Sequence, residues 1–115
     1  MGQIDTHGLP PVLAKVLAPW LAAIEACEPG MGDHVTAIAA HSFMSLLNRI
    51  ELLPALERAL IDARVATDTL AIVLDSKRTV PLRVRRAARQ AMAALIEALR
   101  GAEPNAVTKE LGLGW

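Results

Sequence analysis

Tyrosine is absent, and two tryptophans and one phenylalanine supply the only aromatic side chains, 3% of the residues. With 53% of the composition hydrophobic, a core must be assembled from Leu, Ile, Val, Ala and Met, a palette that favours helices over sheets. One cysteine, Cys27, excludes an intramolecular disulfide and argues against a thiolate zinc site. It reads as a small buried side chain on the first helix, in a reducing compartment. Net charge is missing too: twelve basic and twelve acidic residues cancel, so bulk electrostatics draws the chain to neither nucleic acid nor membrane. No apolar run reaches the roughly 18 residues of a membrane span, and no basic-then-apolar leader opens the chain. A cytoplasmic protein with no membrane partner is expected.

Catalytic signatures are sparse. There is no Gly-rich phosphate loop before a helix, no pair of carboxylates at a spacing that suits acid–base work, and no nucleophile motif. Conventional hydrolase and nucleotide-binding chemistry are disfavoured, and no cofactor is expected. His34 and His41 stand seven residues apart, about 10.5 Å along a helix, too far for one metal ion to bridge without further ligands. No metal site is predicted.

What the sequence does contain is helical periodicity. The 115 residues suit a single domain. A polar lead-in ends at Leu9, and Pro10 and Pro11 suit the first turn of a helix, where a missing N–H costs nothing. Val12, Leu13, Val16, Leu17, Trp20, Leu21 and Ile24 recur at helical spacing, predicting helix one over 10–28, kinked or interrupted at Pro19. Glu28 to Gly32 breaks the chain, and Asp33 is the expected N-cap of a second helix over 33–53. Pro54 ends that helix and starts a third over 54–75, striped by Leu56, Leu60, Ala63, Thr67, Leu70 and Leu74. The apolar run Thr69 to Leu74 also fits a strand paired with Val80, Leu82 and Val84. Helix is preferred, because a lone hairpin would leave two open edges in a helical chain. Helix four spans 81–100, with Val84, Ala88, Ala91, Met92, Leu95 and Leu99 on its apolar face and Gly101 as its stop. The tail, 101–115, is broken by Pro104 and glycines and is expected to be irregular, extended or with one short turn. The expectation is an all-α, up-and-down four-helix bundle.

The second helix draws attention because its two faces differ. At about 100° per residue, Val35, Ile38, Ala39, Ser42, Phe43, Leu46, Ile50 and Leu53 share a core arc. His34, His41 and Asn48 lie opposite, with small residues Ala37, Ala40 and Ser45 around His41. A solvent-facing histidine with room for a partner to approach is the expectation.

The stretch Ala40-His41-Ser42-Phe43-Met44-Ser45 resembles the core of histidine-containing phosphotransfer domains, whose pattern is Ala-His-Ser/Thr-Leu-Lys-Gly on a helix of a four-helix bundle. His41, Ser45, Leu47 and Ile50 also meet the spacing of the phosphoacceptor helix of sensor histidine kinases. The resemblance covers about fifteen residues. Met44 stands where the phosphotransfer pattern has Lys, Ser45 where it has Gly, and Leu46 where the kinase pattern has Pro. It implies phosphorelay function, with His41 as phosphoacceptor, a response-regulator receiver domain as partner, and Ser45 or Asn48 hydrogen-bonding the ring or the phosphoryl oxygens. Imidazole, with an ordinary pKa of about 6.5, is substantially neutral at cellular pH and can attack a phosphoaspartate.

The charges are unevenly spread. Lys77, Arg78, Arg83, Arg85, Arg86 and Arg89 hold six of the twelve basic residues, with no acid between them. On helix four, Arg83, Arg86 and Arg89 form a stripe that could dock an acidic protein, a receiver included, or nucleic-acid phosphates. The plain alternative is a solvated face paired with Asp62, Asp68 or Asp75. Without aromatics for base stacking or a helix-turn-helix pattern, sequence-specific DNA reading is disfavoured. Trp115 is a further partner-binding candidate. Ala- and Leu-rich surfaces suggest a homodimer or a bound partner. The expected function is a phosphorelay adaptor. The alternative is a non-catalytic helical interaction or dimerisation module working through helix four or the tail.

Overall fold

The computed structural model describes residues 4–76 and 79–112. Five helices follow one another: α1 (Pro11–Ala26), α2 (Gly32–Leu47), α3 (Pro54–Asp75), α4 (Leu82–Leu99) and α5 (Ala106–Glu110). No strand occurs among the described residues; the one β-bridge joins Ile50 to Pro104. Thr69 to Asp75 belong to α3, so the helical reading of that run holds over the hairpin.

Interhelical contacts give the topology. The Ser42 hydroxyl of α2 donates to the Val16 carbonyl of α1 (2.9 Å), and the Gly30 amide, just before α2, donates to the Leu74 carbonyl near the end of α3 (2.7 Å). Arg89, early in α4, pairs with Glu25 at the end of α1 (3.0 Å), while Arg100, after α4, donates to the His7 carbonyl ahead of α1 (3.1 Å). Each neighbouring pair therefore runs in opposite directions, as short connectors require. The bundle is up-and-down, with α4 packed mainly on α3 and more lightly on α1.

The helices start where the prolines allow. Pro11 and Pro54 occupy first-turn positions of α1 and α3, with no helical partner needed for the missing N–H. Pro81 precedes Leu82 as the N-cap residue of α4. Pro19 lies inside α1, and the helix continues through it to Ala26, so of the two expected outcomes, kink or interruption, the interruption is ruled out. The stripes named from periodicity form the core. Leu13, Leu17, Trp20 and Ile24 of α1 are buried, as are Leu56, Leu60, Ala63, Thr67, Leu70 and Leu74 of α3 and Ala88, Met92, Leu95 and Leu99 of α4.

Three boundaries differ from expectation. α2 ends at Leu47, not at residue 53. Its connector instead pairs with the chain after α4: the Glu51 amide donates to the Glu103 carbonyl (2.8 Å), and the Asn105 amide to the Arg49 carbonyl (3.0 Å). Leu53, held extended ahead of Pro54, leaves the core arc and is 53% exposed, while Ile50 stays buried from its place in the connector. Asp33 is not the N-cap of α2; Met31 is, and Asp33 falls in the first turn. There its carboxylate still complements the helix dipole. The tail holds the five-residue helix α5, where an extended segment or one short turn was expected. Asn105 caps α5 by accepting from the Thr108 amide (2.8 Å), and its side-chain NH2 donates to the Asn48 carbonyl (2.9 Å). One residue thus starts α5 and ties it to the end of α2.

Candidate functional site

His41 sits in the second half of α2 with its side chain exposed. Its neighbours at the core are anchored by Ala39 and Ser42, both buried, which fixes the outward direction of the residue between them. The imidazole opens onto a shallow depression of about 370 Å³ between α1 and α2, lined by Val12, Lys15, Val16, Pro19, Ser45 and Arg49 as well as His41. No hydrogen bond or ion pair holds the ring among the described residues.

The local architecture follows from two residues. The Ser42 hydroxyl, 1% exposed, clamps α2 to the Val16 carbonyl. Pro19, one turn later on α1, lines the depression with a ring where another residue would carry an N–H. The result is a polar rim on an apolar floor. Lys15 comes from α1 and Arg49 from the turn after α2, and neither is within one helical turn of His41 in sequence. Periodicity on α2 alone does not find Lys15. Arg49 was legible as the continuation of the 41, 45, 49 spacing; Lys15 was not.

Ser45 lines the His41 depression, as sequence spacing suggested, and also a second one of about 240 Å³ shared with Asn48, Arg49, Val107, Thr108 and Leu111. Asn48 opens only onto that second depression among these two, and its backbone carbonyl is taken by Asn105 and Thr108. Met44 is 53% exposed on the same helix. The cations beside His41 are therefore Lys15 and Arg49, at positions unrelated to the Lys of the phosphotransfer pattern.

The basic stripe is divided by the fold. Arg89 forms an ion pair with Glu25 of α1. The exposed Arg85 guanidinium lies near Cys27, which follows the last turn of α1. The Arg89 pair fastens α4 to the C-terminal end of α1, where carbonyls and the helix dipole favour cations. Arg83 and Arg86 are exposed, in the first turns of a helix that has no acid in its first turn. Asp62 and Asp68 pair within α3, with Arg58 (3.9 Å) and Arg64 (3.5 Å); Arg64 also lies over the Phe43 ring, 5.3 Å from its centroid. The stripe and His41 stand on helices that are not principal neighbours, α4 and α2, so they do not form one surface. Lys77, Arg78 and Trp115 lie outside the described residues.

Cys27 is half-buried, in a left-handed backbone conformation (φ 44°, ψ 42°) that closes α1. Its thiol donates to the Ile24 carbonyl (2.7 Å). Burial pushes its pKa up, and the nearby Arg85 guanidinium opposes that rise. No described helix is long and apolar enough to cross a membrane, and the described residues hold no cluster of three or more His, Cys, Asp or Glu side chains suited to a metal ion. No family model, no curated protein and no solved structure matches the chain.

Proposed function

We propose that this protein is a phosphorelay adaptor that accepts a phosphoryl group on His41 from an acyl phosphate, as a receiver-domain phosphoaspartate would present it. The depression that His41 shares with Lys15, Arg49 and Ser45 carries this reading. A transferring phosphoryl group spreads negative charge over three oxygens, and preplaced cations and hydroxyls stabilise it. Lys15 and Arg49 supply the charge that Met44 cannot, and Ser45 supplies a hydroxyl one turn from the histidine.

The step is an in-line displacement. The unprotonated ring nitrogen of His41 attacks phosphorus, the N–P bond forms, and the P–O bond to the aspartyl group breaks. The carboxylate leaves with the bonding electron pair, and the phosphoimidazolium sheds its remaining ring proton to water. No oxidant or nucleotide is consumed.

The test is intact-mass measurement under alkaline conditions after incubation with phosphorylated receiver domains and, separately, acetyl phosphate. A single acid-labile phosphoryl adduct that disappears in His41→Ala is the expected result. Absence of the adduct with every donor overturns the reading. The competing role is binding without chemistry, favoured by the exposure of Arg83 and Arg86. It predicts that an acidic protein or nucleic-acid partner is lost on changing those two arginines to Ala and retained in His41→Ala.

A further inference from the structure

The longest helix, α3, has an outward face that the bundle leaves uncovered. Ile61, Val65 and Ile72 are 45%, 58% and 71% exposed. Together with Arg58, Asp68 and Asp75 they fall at 58, 61, 65, 68, 72 and 75, the alternating three- and four-residue spacing of a two-helix seam. Isolated exposed apolar residues are ordinary on a protein surface; a seam with this spacing, on a helix of 22 residues, is a surface of another kind.

The seam is self-complementary when inverted. An antiparallel copy placed so that Ile61 meets Ile72 of the second helix also sets Arg58 against the second Asp75, and Val65 against the second Asp68. Asp62 then faces the second Thr69. Of the six layers, two join isoleucines, two join opposite charges, and the two nearest the axis set Val65 against Asp68, every pairing occurring twice about the two-fold axis. Asp68 enters its layer already paired with Arg64, which neutralises the carboxylates nearest the axis. Arg58 is free to exchange partners, since its bond to Asp62 is long at 3.9 Å and joins two side chains that are 82% and 62% exposed; such surface pairs are weak. Asp75 is exposed at the rim, with its carboxylate beside Gly32 at the start of α2, so pairing with the second Arg58 requires it to swing outward.

We infer that α3 is a homodimer interface: a second copy of this chain packs on the Ile61–Val65–Ile72 stripe, antiparallel and about a two-fold axis between Val65 and Asp68. One helix pair with half-polar layers makes a small contact, so the dimer is concentration-dependent rather than obligate. The inference does not depend on chemistry at His41, whose depression lies between α1 and α2.

Sedimentation velocity of the full chain over a concentration series, with a Cys27→Ser background for crosslinking, tests it. The expected result is a reversible monomer–dimer equilibrium, with dimer lost in the Ile61→Lys, Ile72→Lys double variant while its circular dichroism and melting temperature stay those of the parent. For register, Ile61→Cys and Ile72→Cys chains are mixed under mild oxidation. The mixture forms a disulfide-linked heterodimer, whereas each variant alone does not, because like positions lie about 16 Å apart along the seam at 1.5 Å per residue and a disulfide needs Cα atoms within about 7 Å. A chain that stays monomeric at all concentrations overturns the inference. So does a dimer that persists in the double lysine variant, or crosslinking of either cysteine variant with itself as readily as in the mixture.

Discussion

The indole N–H of Trp20 donates to the Thr67 hydroxyl at 2.8 Å, and both side chains are wholly buried. Thr67 passes the bond on, donating to the Ala63 carbonyl one turn earlier in α3 (2.8 Å). This chain crosses the diagonal of the bundle from α1 to α3, and the Trp20–Thr67 bond is the only side chain-to-side chain hydrogen bond in the core among the described residues. It fixes the largest buried side chain among the described residues.

Replacing Thr67 by Val keeps the shape but strands the indole N–H in an apolar interior. The expected loss is about 1–3 kcal/mol, read by urea denaturation with an unchanged m-value. Thr67→Ser keeps the hydroxyl and is expected to lose only about 1 kcal/mol, the scale of one buried methyl group.

Gly32 begins α2 where that helix meets the end of α3. A Cβ at this position would press into the Ala71 carbonyl and the Asp75 carboxylate, and the Ala71 carbonyl belongs to a hydrogen-bonded helix that cannot yield. Gly-to-Ala replacement in a helix ordinarily stabilises by about 0.4–1 kcal/mol; here the sign reverses, and Gly32→Ala is expected to cost about 1–3 kcal/mol. A lower melting temperature confirms the close approach, and a higher one refutes it.

The thiol of Cys27 holds its proton more tightly in the folded chain than in the unfolded one, because burial raises its pKa above 9.0. Its contribution to stability is fully present below that ordinary value and is lost as pH rises through the folded pKa. Cys27→Ala is therefore expected to flatten the alkaline fall of stability above about pH 9. Arg85 opposes the rise, so Arg85→Gln should slow alkylation of Cys27 by iodoacetamide at a fixed pH in the native protein, an effect read by mass spectrometry.

Lys15 and Arg49 are expected to assist phosphorylation of His41 without being required for folding, since Lys15 is exposed and Arg49 half-buried at the rim. Lys15→Ala with Arg49→Ala should lower the rate of adduct formation about tenfold or more, equal to about 1.4 kcal/mol of transition-state stabilisation per decade. Asn48→Ala should leave the rate near that of the parent, because Asn48 opens onto the neighbouring depression. Quenched intact-mass time courses measure both.

Which residues would be helical, and which faces buried, was determined by the sequence itself. Prolines at 11 and 54 mark helix starts, and apolar spacing of three and four selects Leu56 to Leu74 or Ala88 to Leu99 without knowledge of any partner, because these signals act within a few turns of one helix. The outward setting of His41 follows in the same way. The end of α2 did not, since it depends on backbone pairing between Glu51 and Glu103, groups far apart in sequence. The cation beside His41 from α1, Lys15, and the capture of Arg89 by Glu25 were likewise decided only by tertiary structure. Local periodicity fixes the direction a side chain takes from its own helix; which side chain of another helix it meets depends on how the helices pack, and that is set by the whole core at once.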